Sequence, residues 1–198
     1  KTDNAFHVVF VNNNYAPKAL LKGFTIKNGY ANGDNENTYG GGIYYGNFEE
    51  CILDSNFAIN YGGGSYYSNL INCTIMHNIA QNYGGGSYYG NHNHCDFIGN
   101  TGYYGGGLYQ GTAHYCQFKE NRSDYYGGGS YNSTLYNCLL HHNYANYGGG
   151  NYSGNAYNCT FVNNHATTYG GGCYYGELYN SILWGNTSDN TNSQHYNG

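Results

Sequence analysis

Apolar residues recur along this chain at a fixed interval of 21 or 22 residues. They are Leu53, Ile75, Phe97, Phe118, Leu140, Phe161 and Leu183. Two positions before each of the first six lies a cysteine: Cys51, Cys73, Cys95, Cys116, Cys138 and Cys159. Before Leu183 the same position is occupied by Ser181. The residue between the two is mixed in character, as in Ile52, Asp96 and Gln117. This alternation is typical of a β-strand, and it predicts one such strand in every repeat, with the middle residue facing outward.

The tetrapeptide Tyr-Gly-Gly-Gly follows the same interval. It begins at Tyr39, Tyr61, Tyr83, Tyr104, Tyr126, Tyr147 and Tyr169. A second tyrosine stands five positions later in every repeat, at Tyr44, Tyr66, Tyr88, Tyr109, Tyr131, Tyr152 and Tyr174. Three consecutive glycines disfavour a helix, whereas self-similarity at a fixed period indicates a solenoid whose coils stack on one another.

The length of the repeat selects among solenoid architectures. Repeats built from helix pairs are usually longer, and the Leu-x-x-Leu-x-Leu pattern of leucine-rich repeats is absent from this chain. We therefore predict an all-β fold, a single-stranded right-handed parallel β-helix (β-solenoid) of about seven to eight coils, each of 21–22 residues. Because stacked strands lie about 4.8 Å apart, such a rod would be roughly 35 to 40 Å long.

Stacking assigns a role to each repeated position. An asparagine follows each apolar residue by three positions: Asn56, Asn78, Asn100, Asn121, Asn143, Asn164 and Asn186. We expect these side chains to stack amide on amide at a corner of the coil, in an αL backbone conformation that asparagine tolerates. The cysteines are expected to form a second structural ladder, pointing inward.

The two ends of the chain depart from the repeat. Residues 1–38 are expected to hold N-terminal strands, a first incomplete coil and a polar loop, with strands at 6–11 and 24–28. Residues 39–186 are expected to form the seven-repeat β-helix, and residues 187–198 a polar C-terminal tail. Neither end shows an amphipathic capping helix, so exposed sheet edges are expected there.

Composition narrows the functional class. The chain has 198 residues, of which 33 are glycine and 28 are tyrosine, and only 9% are charged. An aromatic content of 19% argues against a disordered chain. The net charge is −5 and the six cationic residues are scattered, which argues against nucleic acid as a partner. No stretch approaches 18 consecutive apolar residues, so no membrane span is expected.

Several segments resemble secreted bacterial β-helix proteins of the polymorphic outer-membrane-protein type, which have a pectin-lyase-like fold. The resemblance lies in residues 23–26 (Gly-Phe-Thr-Ile), residues 28–31 (Asn-Gly-Tyr-Ala), the repeated Gly-Gly-Gly-x-Tyr and Asn-Cys-Thr units, and residues 180–187. It covers nearly the whole chain. What it implies is an extracellular or cell-surface location and a role in adhesion or as a passive scaffold.

The acidic residues and the histidines predict no catalytic residue, no metal site and no cofactor. Glu49 and Glu50 are neighbours in one coil, but the next coil has Ile and Asn at those positions. Glu120 lies beside cationic residues, as expected of a solvated charge cluster. His92 and His94 are expected on one strand with His114 stacked near His94, and we expect them to be exposed polar residues.

The cysteines predict free thiols. Their spacing is the period of the coil and not that of zinc ligands. Stacked Cβ atoms about 4.8 Å apart are farther apart than a disulfide prefers, which favours buried thiols, with Cys173 outside the ladder.

The tyrosines form the candidate interaction surface. The two series that begin at Tyr39 and Tyr44, with a partial third series at Tyr45, Tyr67, Tyr89 and Tyr175, would set phenol rings in rows along the rod. Because the strand phase at Gly-Gly-Gly-x-Tyr is ambiguous, the sequence does not decide which row faces solvent. We expect at least one row outside, where it would make a flat surface for sugar rings or for another rod.

Two functions from different classes are therefore open. The first is a non-enzymatic extracellular structural or adhesive β-solenoid that self-associates, end to end or laterally, into oligomers or filaments. The alternative is a carbohydrate-active β-helix enzyme, or a glycan-binding module, that uses a tyrosine-lined face to bind cell-surface glycan.

Overall fold

The computed structural model of the protein describes residues 6–11, 20–190 and 194–197. Within these ranges the chain is a parallel β-solenoid whose strands form three sheets along the rod, which confirms the predicted all-β solenoid. Helical structure in this part of the chain is limited to one 3₁₀ turn, Asn35–Thr38, inside the predicted polar loop.

The first sheet is here called the bent sheet, because most coils contribute two short strands to it that meet at a bend. Its strands are Val9–Phe10, Leu20–Lys22, Ile43–Glu49, Ser65–Ile71, Ser87–Tyr88, Asn91–Asn93, Leu108–Tyr109, Thr112–His114, Ser130–Tyr131, Thr134–Tyr136, Asn151–Tyr152, Asn155–Tyr157, Cys173–Tyr174, Glu177–Tyr179 and His195–Tyr196. The bend lies at a residue with positive φ, such as Tyr89 (φ 56°), followed by a glycine or serine.

The second and third sheets each receive one strand per coil. The second consists of Thr25–Lys27, Ile52–Asp54, Thr74–Met76, Asp96–Ile98, Gln117–Lys119, Leu139–His141, Thr160–Val162 and Ile182–Trp184. The third consists of Tyr30–Ala31, Phe57–Ala58, Ile79–Tyr83, Thr101–Tyr104, Arg122–Tyr126, Tyr144–Tyr147, His165–Tyr169 and Thr187–Ser188.

Strand register places like residues directly over one another. Phe97 pairs with Ile75 on one side and Phe118 on the other, and the backbone N–H of Cys95 lies 3.4 Å from the Sγ atom of Cys116. The interval of 21 or 22 residues is therefore the length of one coil. Thr187–Ser188 and His195–Tyr196, which fall in the predicted tail, extend the third sheet and the bent sheet.

The core is a set of stacked columns, one from each inward position. The second sheet contributes the largest apolar side chains, including Phe97, Phe118 and Phe161, which are fully buried. The third sheet contributes small buried residues such as Ala80 and Ala145. Between Cys95 and Phe97, Asp96 is exposed, as the alternation predicts.

Triple glycines turn the chain from the third sheet into the bent sheet. The first glycine of each run has positive φ, as at Gly84 (φ 66°). The second and third need the absence of a side chain, since a Cβ on Gly85 would lie 2.2 Å from the Thr101 carbonyl oxygen and one on Gly86 would lie 2.5 Å from that of Gly107. Both roles explain why no other residue appears in these runs.

The expectation that the repeated asparagines take αL geometry is wrong. The residue before each asparagine has positive φ instead, for example His77 (φ 54°) before Asn78 and Gly99 (φ 59°) before Asn100. This turn directs the asparagine side chain into the interior, where it is buried.

Candidate interaction surface

Two rows of tyrosines run along the rod beside the glycine turns. The first tyrosine column, which begins at Tyr39, lies where the third sheet ends, and most of its members sit at the last residue of a strand, as Tyr83 and Tyr104 do. The second tyrosine column, which begins at Tyr44, lies on the bent sheet, where Tyr88 pairs with Tyr66 and Tyr109. The four intervening residues place the two columns side by side on the outer surface.

Rings of the second column stack on one another along the rod. Successive centroids from Tyr44 to Tyr174 lie 4.8 to 5.4 Å apart, with interplanar angles of 1° to 18°. The first column interlocks with it: the Tyr83 and Tyr109 rings are 5.0 Å apart and T-shaped, and the Tyr126 and Tyr152 rings are 4.1 Å apart. Such offset and edge-to-face pairs are the favoured aromatic geometries.

Both columns belong to the outer surface. Their members are half-buried, apart from Tyr44, which is buried. A groove of about 260 Å³ runs between them, lined by Tyr83, Tyr104, Tyr109, Tyr126 and Tyr131. The sequence led us to expect a flat surface of exposed ring faces on which sugar rings could lie. In the second column the ring faces stack against neighbouring rings instead.

Burial raises the pKa of Tyr66, Tyr88 and Tyr109 above the ordinary tyrosine value. We therefore expect the folded protein to retain unionised phenols at a pH where its urea-unfolded form is fully titrated. Absorbance of phenolate near 295 nm, followed against pH for both forms, measures this difference. Coincident titration curves for the two forms would contradict the stacked geometry of the second column.

Sequence reasoning missed two features of this surface. Tyr196 extends the second column, with its ring 5.2 Å from that of Tyr174, and the signal was available because the two are 22 residues apart. A further row on the bent sheet stacks His114, Tyr136, Tyr157 and Tyr179 at 4.7 to 5.0 Å. Its members also follow the coil period.

The partial third series lies at the bend itself. Tyr45, Tyr67, Tyr89 and Tyr175 all have positive φ, which directs their rings outward next to the second column. The Tyr67 and Tyr89 rings stack at 4.7 Å and 7°. In the coils between Tyr89 and Tyr175 the same position is filled by Gln110, Asn132 and Ser153, so this series is interrupted.

Asparagine and cysteine columns lie inside the rod and take no part in the surface. The Nδ2 atom of each asparagine except the last donates to the Oδ1 atom of the next, as from Asn78 to Asn100 at 3.0 Å, and Asn186 donates to Gln194 Oε1. All seven cysteines are buried free thiols. The thiols of the ladder contact the carbonyl oxygen two residues earlier, for example Cys73 Sγ with Ile71 O at 3.2 Å. Burial raises the pKa of Cys173 to about 12, so this thiol is protonated at neutral pH.

Several acidic side chains of the repeats lie in surface ion pairs. Lys22 Nζ lies 2.8 Å from Glu49 Oε1 and 2.9 Å from Glu50 Oε1. Glu120 contacts Lys119 at 3.4 Å. The backbone of Asp96 pairs with that of Gln117 in the next coil, and partial desolvation of the exposed Asp96 carboxyl group raises its pKa.

The histidine expectation is wrong in two respects. The register pairs Asn93, not His94, with His114, and His94 stacks on Tyr115 instead. His92 is fully buried in the column that also holds Leu70 and Ala113, and neither of its ring nitrogens forms a hydrogen bond within the described part of the chain. His94 lies just after the end of this strand, has positive φ (52°) and is exposed, so it does not converge with the buried His92.

Two further observations concern ions and membranes. Across residues 6–11, 20–190 and 194–197, no group of three or more His, Cys, Asp and Glu side chains is arranged to hold a metal ion. In the same residues, no helix has the length and apolar character needed to cross a membrane.

Comparison with known proteins finds one informative likeness. Residues 158–176 match a protein-family model described as the Chlamydia polymorphic membrane protein repeat. The matched segment includes Cys159, Asn164 and Gly170, which are the residues that recur in the other coils. No curated protein and no solved structure matches the chain.

Proposed function

We propose that this β-solenoid, whose residues 158–176 match the Chlamydia polymorphic membrane protein repeat, is a structural or adhesive rod at the cell surface or outside the cell. The observation that carries this proposal is the pair of tyrosine columns, which continue from coil to coil along one side of the rod. A surface that repeats with every coil suits contact with another extended molecule better than it suits a single small substrate.

The tyrosine columns support self-association of rods side by side. The half-buried rings leave their edges and hydroxyl groups at the surface, with the 260 Å³ groove between the columns. Amphipathic rings are enriched at protein interfaces because they bury large apolar area while keeping a polar group paired. The first and second columns contain no charged residue, so two rods would meet there without electrostatic repulsion.

A non-enzymatic role is part of the proposal. Glycoside hydrolysis uses two carboxyl groups placed on either side of the scissile bond. Glu49 and Glu50 share Lys22 as their partner, and Glu120 is paired with Lys119, so neither set resembles such a pair. The uniform coils also favour a scaffold, because a catalytic site would break the repeat locally.

Self-association through the tyrosine columns predicts concentration-dependent oligomers of the chain. Sedimentation velocity over a range of concentrations, with electron microscopy of the largest species, measures this. The double variant Tyr104→Ser/Tyr126→Ser removes two rings that line the groove. We expect it to weaken association at least about tenfold, equivalent to about 1.4 kcal/mol.

The matched control is Tyr136→Ser/Tyr157→Ser, which removes two stacked rings from the row on the other half of the bent sheet. We expect this variant to associate like the unmodified chain. A chain that stays monomeric at every concentration, or equal weakening in both variants, would overturn the role of the columns.

A further inference from the structure

The bend of the bent sheet forms a second groove, separate from the one between the tyrosine columns. In each coil the strand changes direction at a residue with positive φ and at the small residue after it, for example Tyr67-Ser68, Tyr89-Gly90 and Gln110-Gly111. The outer surface is concave there. Across three coils the concavity reaches about 380 Å³, which lies within the size range of ligand sites, and it is here called the bend groove.

The walls of the bend groove differ in chemistry. One wall carries the stacked rings of Tyr67 and Tyr89, of which Tyr67 is 42% exposed. The facing wall carries Asn69 and Asn91, whose amides are linked by a 3.3 Å hydrogen bond and lie exposed. Two small residues form the floor: Gly90 and Gly111.

The third coil completes the groove with polar groups. Gln110 and Thr112 take the places of the tyrosine and the asparagine. Their side chains are half-buried, and neither makes a hydrogen bond within the described part of the chain. Buried or half-buried amides and hydroxyls without a partner are suited to bind a ligand that carries matching hydroxyl groups.

No charged residue lines the bend groove. The ligand it fits is therefore polar and uncharged, since a charged ligand would lose hydration without gaining an ionic partner. The lining also repeats along the rod axis with the coil spacing of about 4.8 Å. A sugar unit in an extended β-linked glycan advances by a similar distance, so successive sugars could meet successive coils.

We propose that the bend groove is a binding site for a neutral, extended oligosaccharide that lies along the rod, with the exposed part of the Tyr67 ring against sugar C–H groups and with Asn69, Asn91, Gln110 and Thr112 bonded to hydroxyl groups. This proposal rests on the adhesive role proposed above and names the class of its ligand. Three coils line the groove, so it would hold about three sugar units.

Calorimetric titration of the full chain with neutral hexose and N-acetylhexosamine oligomers of three or more units tests the proposal, with uronic-acid oligomers of equal length as the charged comparison. We expect the neutral oligomers to bind and the charged ones to bind at least about tenfold more weakly. Tyr67→Ala and Asn91→Ala should each weaken binding at least about tenfold.

Tyr115→Ala is the matched control, since Tyr115 is a 56% exposed ring at a different corner of the coil. Its affinity should stay within about twofold of the unmodified chain. Circular dichroism of each variant verifies that it is folded. Asn91 is exposed, so its replacement keeps the test valid even if Tyr67→Ala is unstable.

Three results would overturn the inference: no binding of any neutral oligomer, preference for the uronic-acid series, or binding lost in Tyr104→Ser/Tyr126→Ser but kept in the groove variants. If no oligosaccharide binds, the proposal that rods self-associate still stands, because self-association is measured without sugar. Cleavage of an oligomer by the chain would instead overturn the non-enzymatic part of the proposed function.

Discussion

Replacing Asn100 by alanine is expected to lower the free energy of unfolding by about 4 kcal/mol. Asn100 is fully buried, and its Oδ1 atom accepts hydrogen bonds from the backbone N–H and the Nδ2 group of Asn78, both at 3.0 Å. Its Nδ2 group donates to Ile75 O at 2.8 Å and to Asn121 Oδ1 at 3.0 Å. Alanine leaves the Asn78 N–H, one Asn78 Nδ2 hydrogen and the Ile75 carbonyl buried without these partners, each costing about 1 to 3 kcal/mol.

The control for Asn100 is Asn69→Ala. Asn69 also belongs to a stack of amides, with its Nδ2 group 2.9 Å from Asn47 Oδ1, but it is exposed, so water replaces the lost partner. We expect a loss below about 0.5 kcal/mol there. Urea unfolding followed by circular dichroism measures both variants. Equal losses in the two would contradict the assignment of stability to the buried column.

The period of the repeat predicts most of this fold because it fixes the register between successive coils of a parallel solenoid. Once Phe97 is known to lie over Ile75, every other position in the coil is placed at the same time. The cysteine and asparagine columns follow directly. The division of the chain at residues 38 and 186 stays a prediction.

What the sequence does not determine is the direction of side chains around a bend. At Tyr88 and Tyr89 two adjacent tyrosines both point outward, because the positive φ of Tyr89 breaks the alternation of the strand. No pattern of apolar and polar residues reveals such a break, and the bend groove depends on it. The sequence pattern also does not reveal how the rings of the second column stack, because the orientation of each ring is determined by its neighbours in other coils.

His92 illustrates a signal that was present but hidden. Its strand, Asn91–Asn93, is polar throughout, which suggests an exposed position. The period of the repeat predicts a buried position instead, because His92 stands 22 residues after Leu70 and 21 before Ala113, both of which are fully buried. In a solenoid, the column to which a residue belongs is therefore a better guide to burial than the polarity of its neighbours.

This buried imidazole makes the free energy of unfolding of the rod depend on pH. Burial lowers the pKa of His92 from 6.5 to about 4, despite weaker opposing effects of Cys95 and of the Tyr89 backbone. The unfolded chain therefore binds a proton at a higher pH than the folded chain does, and stability falls as the pH drops from about 6.5 to about 4. A difference of this size corresponds to about 3 kcal/mol, fully lost below both values.

The variant His92→Leu is expected to abolish this contribution, since Leu70 and Leu135 fill the same column in nearby coils. The difference in unfolding free energy between the variant and the unmodified chain should grow by about 3 kcal/mol between pH 7 and pH 4, in favour of leucine. His94→Leu, which replaces an exposed imidazole two residues away, is the control for introducing a leucine in this coil. If the His92→Leu and unmodified chains lose stability in parallel over this range, the imidazole is solvated and the inward direction of His92 is wrong.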